Sequence, residues 1–339
     1  VLSIISWKGT NIDPFIRAGA ILLMVKNIFI FLYLANNLKE RQTIYFLIGV
    51  LLLDGAIQAL IAIAQYFNGG AIGLQLFGEV EAFTTAAGSA SVFRVGGTIG
   101  HPNKLALFMA FLIEINIALL FIPASRFVKF IRVLPLVTMC SAIVLTYSRS
   151  SWASLVLGGS ISIYWCRTKL TGQRIISAVL VVVAVGGLAV SAIALVPSVR
   201  NRIFGDDRGT GDIRIPLKVI SKNIIRHHYW TGVGLNNYCS VIHKYDNSDM
   251  GASWHFPMPV HNEFLLIASE QGVPASIIFI LLLGFIFLLH ISIGLSNADL
   301  PYSFLAIGFL CGWLGWTLHH RTLFEYVFFS HNIWFYLGI

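Results

Sequence analysis

Apolar runs broken by short charged or turn-rich stretches dominate the chain. They predict membrane-crossing helices near 18–36, 42–66, 103–122, 133–148, 150–166, 175–196, 273–293 and 302–318, with a ninth beginning after 330. The clearest is 175–196, 22 residues without a charge. As a helix it is about 33 Å long against a hydrocarbon core of about 30 Å. Two stretches interrupt the rhythm, 67–102 and the 66 residues of 197–262. Loops of that length are functional or disordered. The second holds Trp230, Tyr238, Trp254, a "GVG" turn and a helical pattern over about 212–226, so a folded cap is expected. The pattern divides the chain into an N-terminal membrane bundle of about six spans (1–196), a loop cap (197–262) and two to three C-terminal spans (263–339), the last incomplete.

Composition fixes the class. The 339 residues are 57% hydrophobic and 11% charged, with a mean hydropathy of +0.79, whereas soluble domains carry about 25% charge. An all-α, polytopic helical membrane protein with a folded external loop between two spans follows. The chain opens at Val1 with no visible signal peptide and stops inside an apolar run, so a fragment, or a chain lacking its ends, is expected.

Charge then sets the sidedness. The connections 37–41, 123–132 and 167–174 hold Lys39, Arg41, Arg126, Lys129, Arg132, Arg167, Lys169 and Arg174 against one acid, Glu40. Alternating spans put all three on one face, which the positive-inside rule makes cytoplasmic. The opposite face receives both long loops, the tight turn at Arg149 and the stretch around Arg321. Much of the formal +8 charge therefore has a topological use, and no nucleic-acid partner is read from it. The four cysteines are scattered singly, without the spacing of a disulfide framework or a zinc site.

Within the external face, "PVHNEFLLIASEQG" joins the cap to a span. Asn262 is placed to cap a two-turn helix over 263–271, closed by Gly272. His261 sits at the entrance of that helix, where the partial positive charge disfavours imidazolium and favours a neutral ring able to accept a proton. A histidine hydrogen-bonded at the membrane interface gives the same local pattern. Glu263 is the neighbour that could orient the ring, although adjacent helical side chains diverge.

Arg149, in "TYSRSSW", stands at the far turn of a helical hairpin, 16 uncharged residues from Arg132 and 17 from Arg167. With the hydroxyls of Ser148, Ser150 and Ser151, it could hold a lipid-linked phosphate; snorkelling to lipid headgroups is the other use of a lone arginine. Arg214, Lys218, Lys222 and Arg226 recur every four residues as a basic stripe, with Arg214 at the helix start. In "FRVGGTIGHPNKLALF", Pro102 and Asn103 start a helix, and Arg94 and His101 could face substrate. The adjacent pairs His227–His228 and His319–His320 lack the i, i+4 spacing of helix-borne ligands, so no metal is expected. Asp54 and Glu114, inside spans, are either polar contacts between helices or part of a pathway.

"FRVGGTIGHPNKLA", "TYSRSSW", "GVGLNNY" and "VHNEFLLIASEQGVPAS" stand in an order and spacing that resemble the O-antigen ligase and polysaccharide polymerase superfamily of bacterial membrane glycosyltransferases. The resemblance covers roughly 90–295, with tyrosine at 229 where that family often has proline. It implies metal-free and cofactor-free transfer of a glycan from undecaprenyl diphosphate to an acceptor hydroxyl, on lipid A core or on a growing glycan. The implied place is the periplasmic face of the bacterial cytoplasmic (inner) membrane. The family's catalytic histidine falls on His261, its membrane-surface arginine on Arg149 and its loop arginine on Arg214.

The residue types suit that chemistry: arginines neutralise a departing diphosphate and a histidine deprotonates the acceptor hydroxyl, with inversion at the anomeric carbon. No "DxD" occurs in the sequence. Ligase and O-antigen or exopolysaccharide polymerase differ in the acceptor, which the sequence leaves open. A lipid-linked glycan transporter or flippase, motivated by Asp54 and Glu114, would more often show two related halves with interrupted spans. A scaffold in an export complex would not require His261.

Overall fold

The computed structural model describes residues 14–81, 83–87, 90–169, 197–205, 214–248, 251–296 and 299–320, with 334, 336 and 338. The span expected at 175–196, the start of the ninth and the stretch around Arg321 lie outside the described residues. The longer helices are α1 (Pro14–Asn37), α2 (Arg41–Asn68), α3 (Pro102–Phe121), α4 (Arg126–Leu145), α5 (Arg149–Thr168), α6 (Pro197–Phe204), α7 (Arg214–His227), α8 (Glu263–Gln271), α9 (Val273–Leu295) and α10 (Leu300–His319). Six of them, α1 to α4, α9 and α10, are long and apolar enough to cross a membrane, and the protein is an all-α polytopic membrane protein. Helix α5 falls where a span was expected, but its serines and glycines leave it outside that apolar set.

Two boundaries differ from the apolar pattern. Helix α4 begins seven residues before the expected 133, because the Ser125 hydroxyl accepts the Val128 N–H (3.3 Å) and starts the helix within the basic connection. The stretch 67–102 contains an antiparallel hairpin, β1 (Phe83–Ala87) with β2 (Ala90–Arg94), pairing Phe83 with Arg94 and Ala87 with Ala90. Its alanines, serines and threonines carry no alternating apolar signal. The Gln65 side chain donates to Glu79 Oε1 (2.6 Å) and accepts the Gly97 N–H (2.9 Å), tying the surrounding loop to the end of α2.

The chain divides into two compact units that interleave along the sequence. One comprises Val1–Tyr45, Gly209–Ile286 and His320–Ile339; the other comprises Phe46–Arg208 and Phe287–His319.

The second unit is built around α3, buried along nearly its whole length and packed by α4, α5 and α10. Between membrane helices, association rests on close packing rather than on hydrophobic exclusion. Small residues let the backbones approach: a Cβ on Gly312 would lie 3.0 Å from the Phe111 ring, and one on Gly308 2.8 Å from Ala118 Cβ. Glu114 is enclosed there, with Gly158 so near that an added Cβ would sit 2.6 Å from its Oε1. Asp54, by contrast, is exposed on α2.

The first unit contains the larger part of the 197–262 stretch, from 209 on, while Pro197–Phe204 falls in the second. Leu217, Ile220 and Ile224 of α7 form a core with Val233, Tyr238, Ile242, Val260 and Leu266. The helix expected over about 212–226 is thus present as α7, amphipathic, its buried face holding this core.

Candidate active site

The first unit positions its candidate residues from both ends of α8. Asn262 is in extended conformation and its Oδ1 accepts the Leu265 N–H at 3.0 Å, the capping arrangement expected from the sequence. The Glu263 N–H donates to the His320 carbonyl (3.0 Å), and the Glu263 side chain is buried. Held just ahead of this cap, His261 is partly buried. Burial first, and then the nearby Arg214 guanidinium, hold its imidazolium down to about 4, while its hydrogen bond to the Pro259 backbone opposes the shift. The ring is neutral near pH 7, through burial and a cation more than through the helix end invoked from sequence.

Arg214 is the first residue of α7 and is half-buried, whereas Lys218, Lys222 and Arg226 of the same stripe are exposed. The stripe is therefore not uniform: its first member is coupled to His261, and the other three face outward.

The C-terminal end of α8 carries the second motif. The Val233 N–H donates to the Ser269 carbonyl (2.9 Å) and the Gly234 N–H to the Glu270 carbonyl (2.8 Å), laying the "GVG" turn across the "SEQ" turn. The buried Glu270 carboxyl accepts the Asn236 N–H at Oε2 (2.9 Å) and the Tyr238 N–H at Oε1 (3.1 Å). Burial pushes its pKa up to about 8, with the charge of Glu263 adding to the rise, and the backbone donors offset only part of this. Gly232 and Gly272 permit the crossing. Both have positive φ (65° and 87°), and a Cβ on either would come within 2.3 Å of backbone, that of Glu270 or of Trp230. The Ser221 and Ser269 hydroxyls, 2.7 Å apart, tie α7 to α8 in the same way.

The second unit holds the other candidates. Arg149 is exposed at the first position of α5, after the turn in which Tyr147 has a φ of 52°. The hydroxyls beside it are engaged: Ser150 Oγ and Ser151 Oγ each lie 3.0 Å from His319 Nδ1, and Ser148 Oγ lies 3.1 Å from Ser151 Oγ. Arg94 donates from Nε to the Thr146 carbonyl (2.7 Å) and from Nη2 to Asn103 Oδ1, pinning the hairpin to the ends of α4 and α3. The His101 ring accepts the Asn103 N–H (3.2 Å) and caps α3.

Part of this set lies in a region that matches a known family. Residues 134–280 match the O-antigen ligase family. The match supports the superfamily read from the motifs, that of O-antigen ligases and polysaccharide polymerases, and with it a membrane glycosyltransferase whose substrates are a lipid-linked glycan and an acceptor. Arg149, Arg214, the "GVG" turn and His261 lie inside the O-antigen ligase region; Arg94, His101 and His319 lie outside it. No curated protein matches the chain.

The charge of Arg214 acts on His261, and two further residues stand out that the sequence pattern does not single out, Glu270 inside the matched region and His319 outside it. Glu270 was visible only as part of a motif, and its buried, loop-holding role depends on partners more than 30 positions away. In the sequence His319 reads only as half of a histidine pair. It touches Ser150 and Ser151, two of the three hydroxyls that the sequence offers to a phosphate.

Proposed function

We propose that the protein is an inverting, metal-independent glycosyltransferase that moves a glycan from undecaprenyl diphosphate to an acceptor hydroxyl at the periplasmic face of the bacterial inner membrane. The observation that carries this reading is the match of residues 134–280 to the O-antigen ligase family, a region that includes Arg149, Arg214 and His261.

A neutral imidazole is the form that can take a proton. His261 removes the proton of the acceptor hydroxyl as that oxygen bonds to the anomeric carbon of the donor. The bond from that carbon to the diphosphate oxygen breaks, and the polyprenyl diphosphate leaves with the electron pair. Arg214 neutralises the charge that grows on it, as a guanidinium fork suits phosphate oxygens, and Arg149 is the other arginine that the resemblance assigns to the phosphate. Back-side displacement inverts the centre, and the proton on His261 passes to solvent. Asn262 and Glu263 hold the base in place through the cap of α8. General-base assistance of this kind contributes about 10²–10⁴-fold.

Ligase and polymerase share this chemistry and part at the acceptor. The test incubates the purified full-length protein with an undecaprenyl-diphosphate glycan and either lipid A core or a second copy of the glycan. Product on lipid A core identifies a ligase, and a lengthened glycan a polymerase. Absence of product on both contradicts the transferase reading.

A further inference from the structure

Between the cap core and His261 runs a stretch of five consecutive exposed residues, Trp254–Met258. Trp254 is 73% exposed, yet its ring is not loosely placed. One face lies on the imidazole of His243, ring centroids 4.0 Å apart and planes 22° from parallel. His243 Nδ1 lies 3.0 Å from Ser253 Oγ, and the Ser253 N–H donates to Asp246 Oδ2 at 2.7 Å. Asp246 also accepts the Ser248 N–H at 2.9 Å and its hydroxyl. Burial opposes ionisation of this carboxyl, but those hydrogen bonds outweigh it and hold the pKa at about 2. A large aromatic face is thus presented outward by a fixed polar support. Trp254 and His261 are seven positions apart, which limits their distance to about 25 Å of extended chain.

We propose that Trp254, backed by His243, is a platform on which a pyranose ring of the glycan stacks, a specificity contact ahead of His261. This rests on the transferase reading and names a further contact of the same substrate class. The axial C–H bonds of a pyranose carry partial positive charge and suit the negative face of an indole. Binding sites of this kind combine aromatic walls with a few placed polar groups. His255 and Lys244, the chain neighbours of Trp254 and His243, are exposed and can donate hydrogen bonds.

A lipid interface is the other destination of an exposed tryptophan, since such rings anchor proteins at the headgroup level. Two features favour the glycan. The indole lies flat on its support with one face covered, rather than projecting. The support is also a built polar site, with Asp246 holding Ser253 and Ser248 behind the ring, unlike the free side chain of an interfacial anchor.

The test uses the full-length protein in lipid nanodiscs and, as probe, the water-soluble oligosaccharide released by mild acid from the producing cell's lipid-linked glycan. Binding is read by calorimetry and by the difference in tryptophan fluorescence between wild type and Trp254→Phe. Trp254→Ala is expected to weaken binding at least 10-fold, Trp254→Phe about 3-fold, and His243→Ala to fall between them. His261→Ala is expected to bind as wild type does, so a failed base assignment and a failed platform give different results. Saturating lipid-linked donor abolishes the signal if the platform holds the donor glycan and spares it if it holds the acceptor. Equal affinity of wild type and Trp254→Ala overturns the proposal, as does absence of binding by wild type. Quenching of Trp254 by brominated lipid, unchanged by the oligosaccharide, overturns it in favour of a membrane anchor.

Discussion

The Glu270 carboxyl accepts the backbone N–H of Tyr238 at 3.1 Å, across 32 residues of chain, and its other oxygen accepts that of Asn236. One buried side chain thus fixes the loop between the two motifs, and two consequences can be measured. Glu270→Gln places an amide N–H₂ against a backbone N–H, leaving a buried donor without an acceptor. It is expected to cost about 1–3 kcal/mol and to lower the unfolding midpoint in detergent at pH 6.

The same group sets a pH dependence. Its folded pKa of about 8 lies above the ordinary 4.5, so protonated Glu270 favours the folded state. That contribution is complete below about pH 4.5 and is lost as pH rises through 8. The midpoint of the wild type is expected to fall between about pH 4.5 and 8 and to level off above, and the fall is expected to be shallower in Glu270→Gln. Thermal unfolding followed across pH checks both.

Gly232 and Gly272 meet the opposite backbone with no room for a methyl group. Gly232→Ala and Gly272→Ala each combine a positive φ with a backbone clash and are expected to cost more than about 4 kcal/mol, in the exceptional range for single substitutions. Loss of folded protein in fluorescence-detected gel filtration is the readout. Gly251→Ala, which also has positive φ but whose nearest neighbour is the Trp254 ring at 3.5 Å, is expected to remain folded.

Arg94 joins the hairpin to Thr146 and Asn103. Arg94→Ala removes a charged donor from a buried carbonyl and is expected to lower stability by about 1–3 kcal/mol while leaving the KM for donor within about 2-fold. Unfolding and steady-state kinetics on the same preparation separate this from direct substrate contact, which would move KM more than stability.

His319 touches both serines that follow Arg149. It acts as a positioning residue for the start of α5: His319→Ala is expected to raise the donor KM about 5–10-fold, roughly 1 kcal/mol of binding, with a smaller change in kcat. Kinetics with donor and acceptor varied separately check the split, since a purely structural loss would lower the active fraction and not KM.

Local patterns made much of this legible in the sequence. The Asn262 cap, the length of α8, the start of α7 and the apolar spans follow from periodicity and capping chemistry, which act within a few residues. What escaped depends on partners distant along the chain. Glu270 reads as one more acid at a helix end until Asn236 and Tyr238 fold over it. The hydroxyls near Arg149 read as free until His319, 168 residues on, reaches Ser151. The hairpin at Phe83–Arg94 escaped because alanine, serine and threonine carry neither period.

The most direct measurement is the pH dependence of kcat/KM for wild type, Arg214→Gln and His261→Ala, because this quantity reports the ionisation of the free enzyme's base. Protonated His261 is inactive as a base, so wild-type activity is expected to stay level from pH 8 down to about 5 and fall only as pH approaches about 4. Removing the cation in Arg214→Gln is expected to move that acid limb part-way up toward 6.5, and His261→Ala to remove transfer. An acid limb unmoved in Arg214→Gln, or wild-type transfer by His261→Ala, would contradict the account.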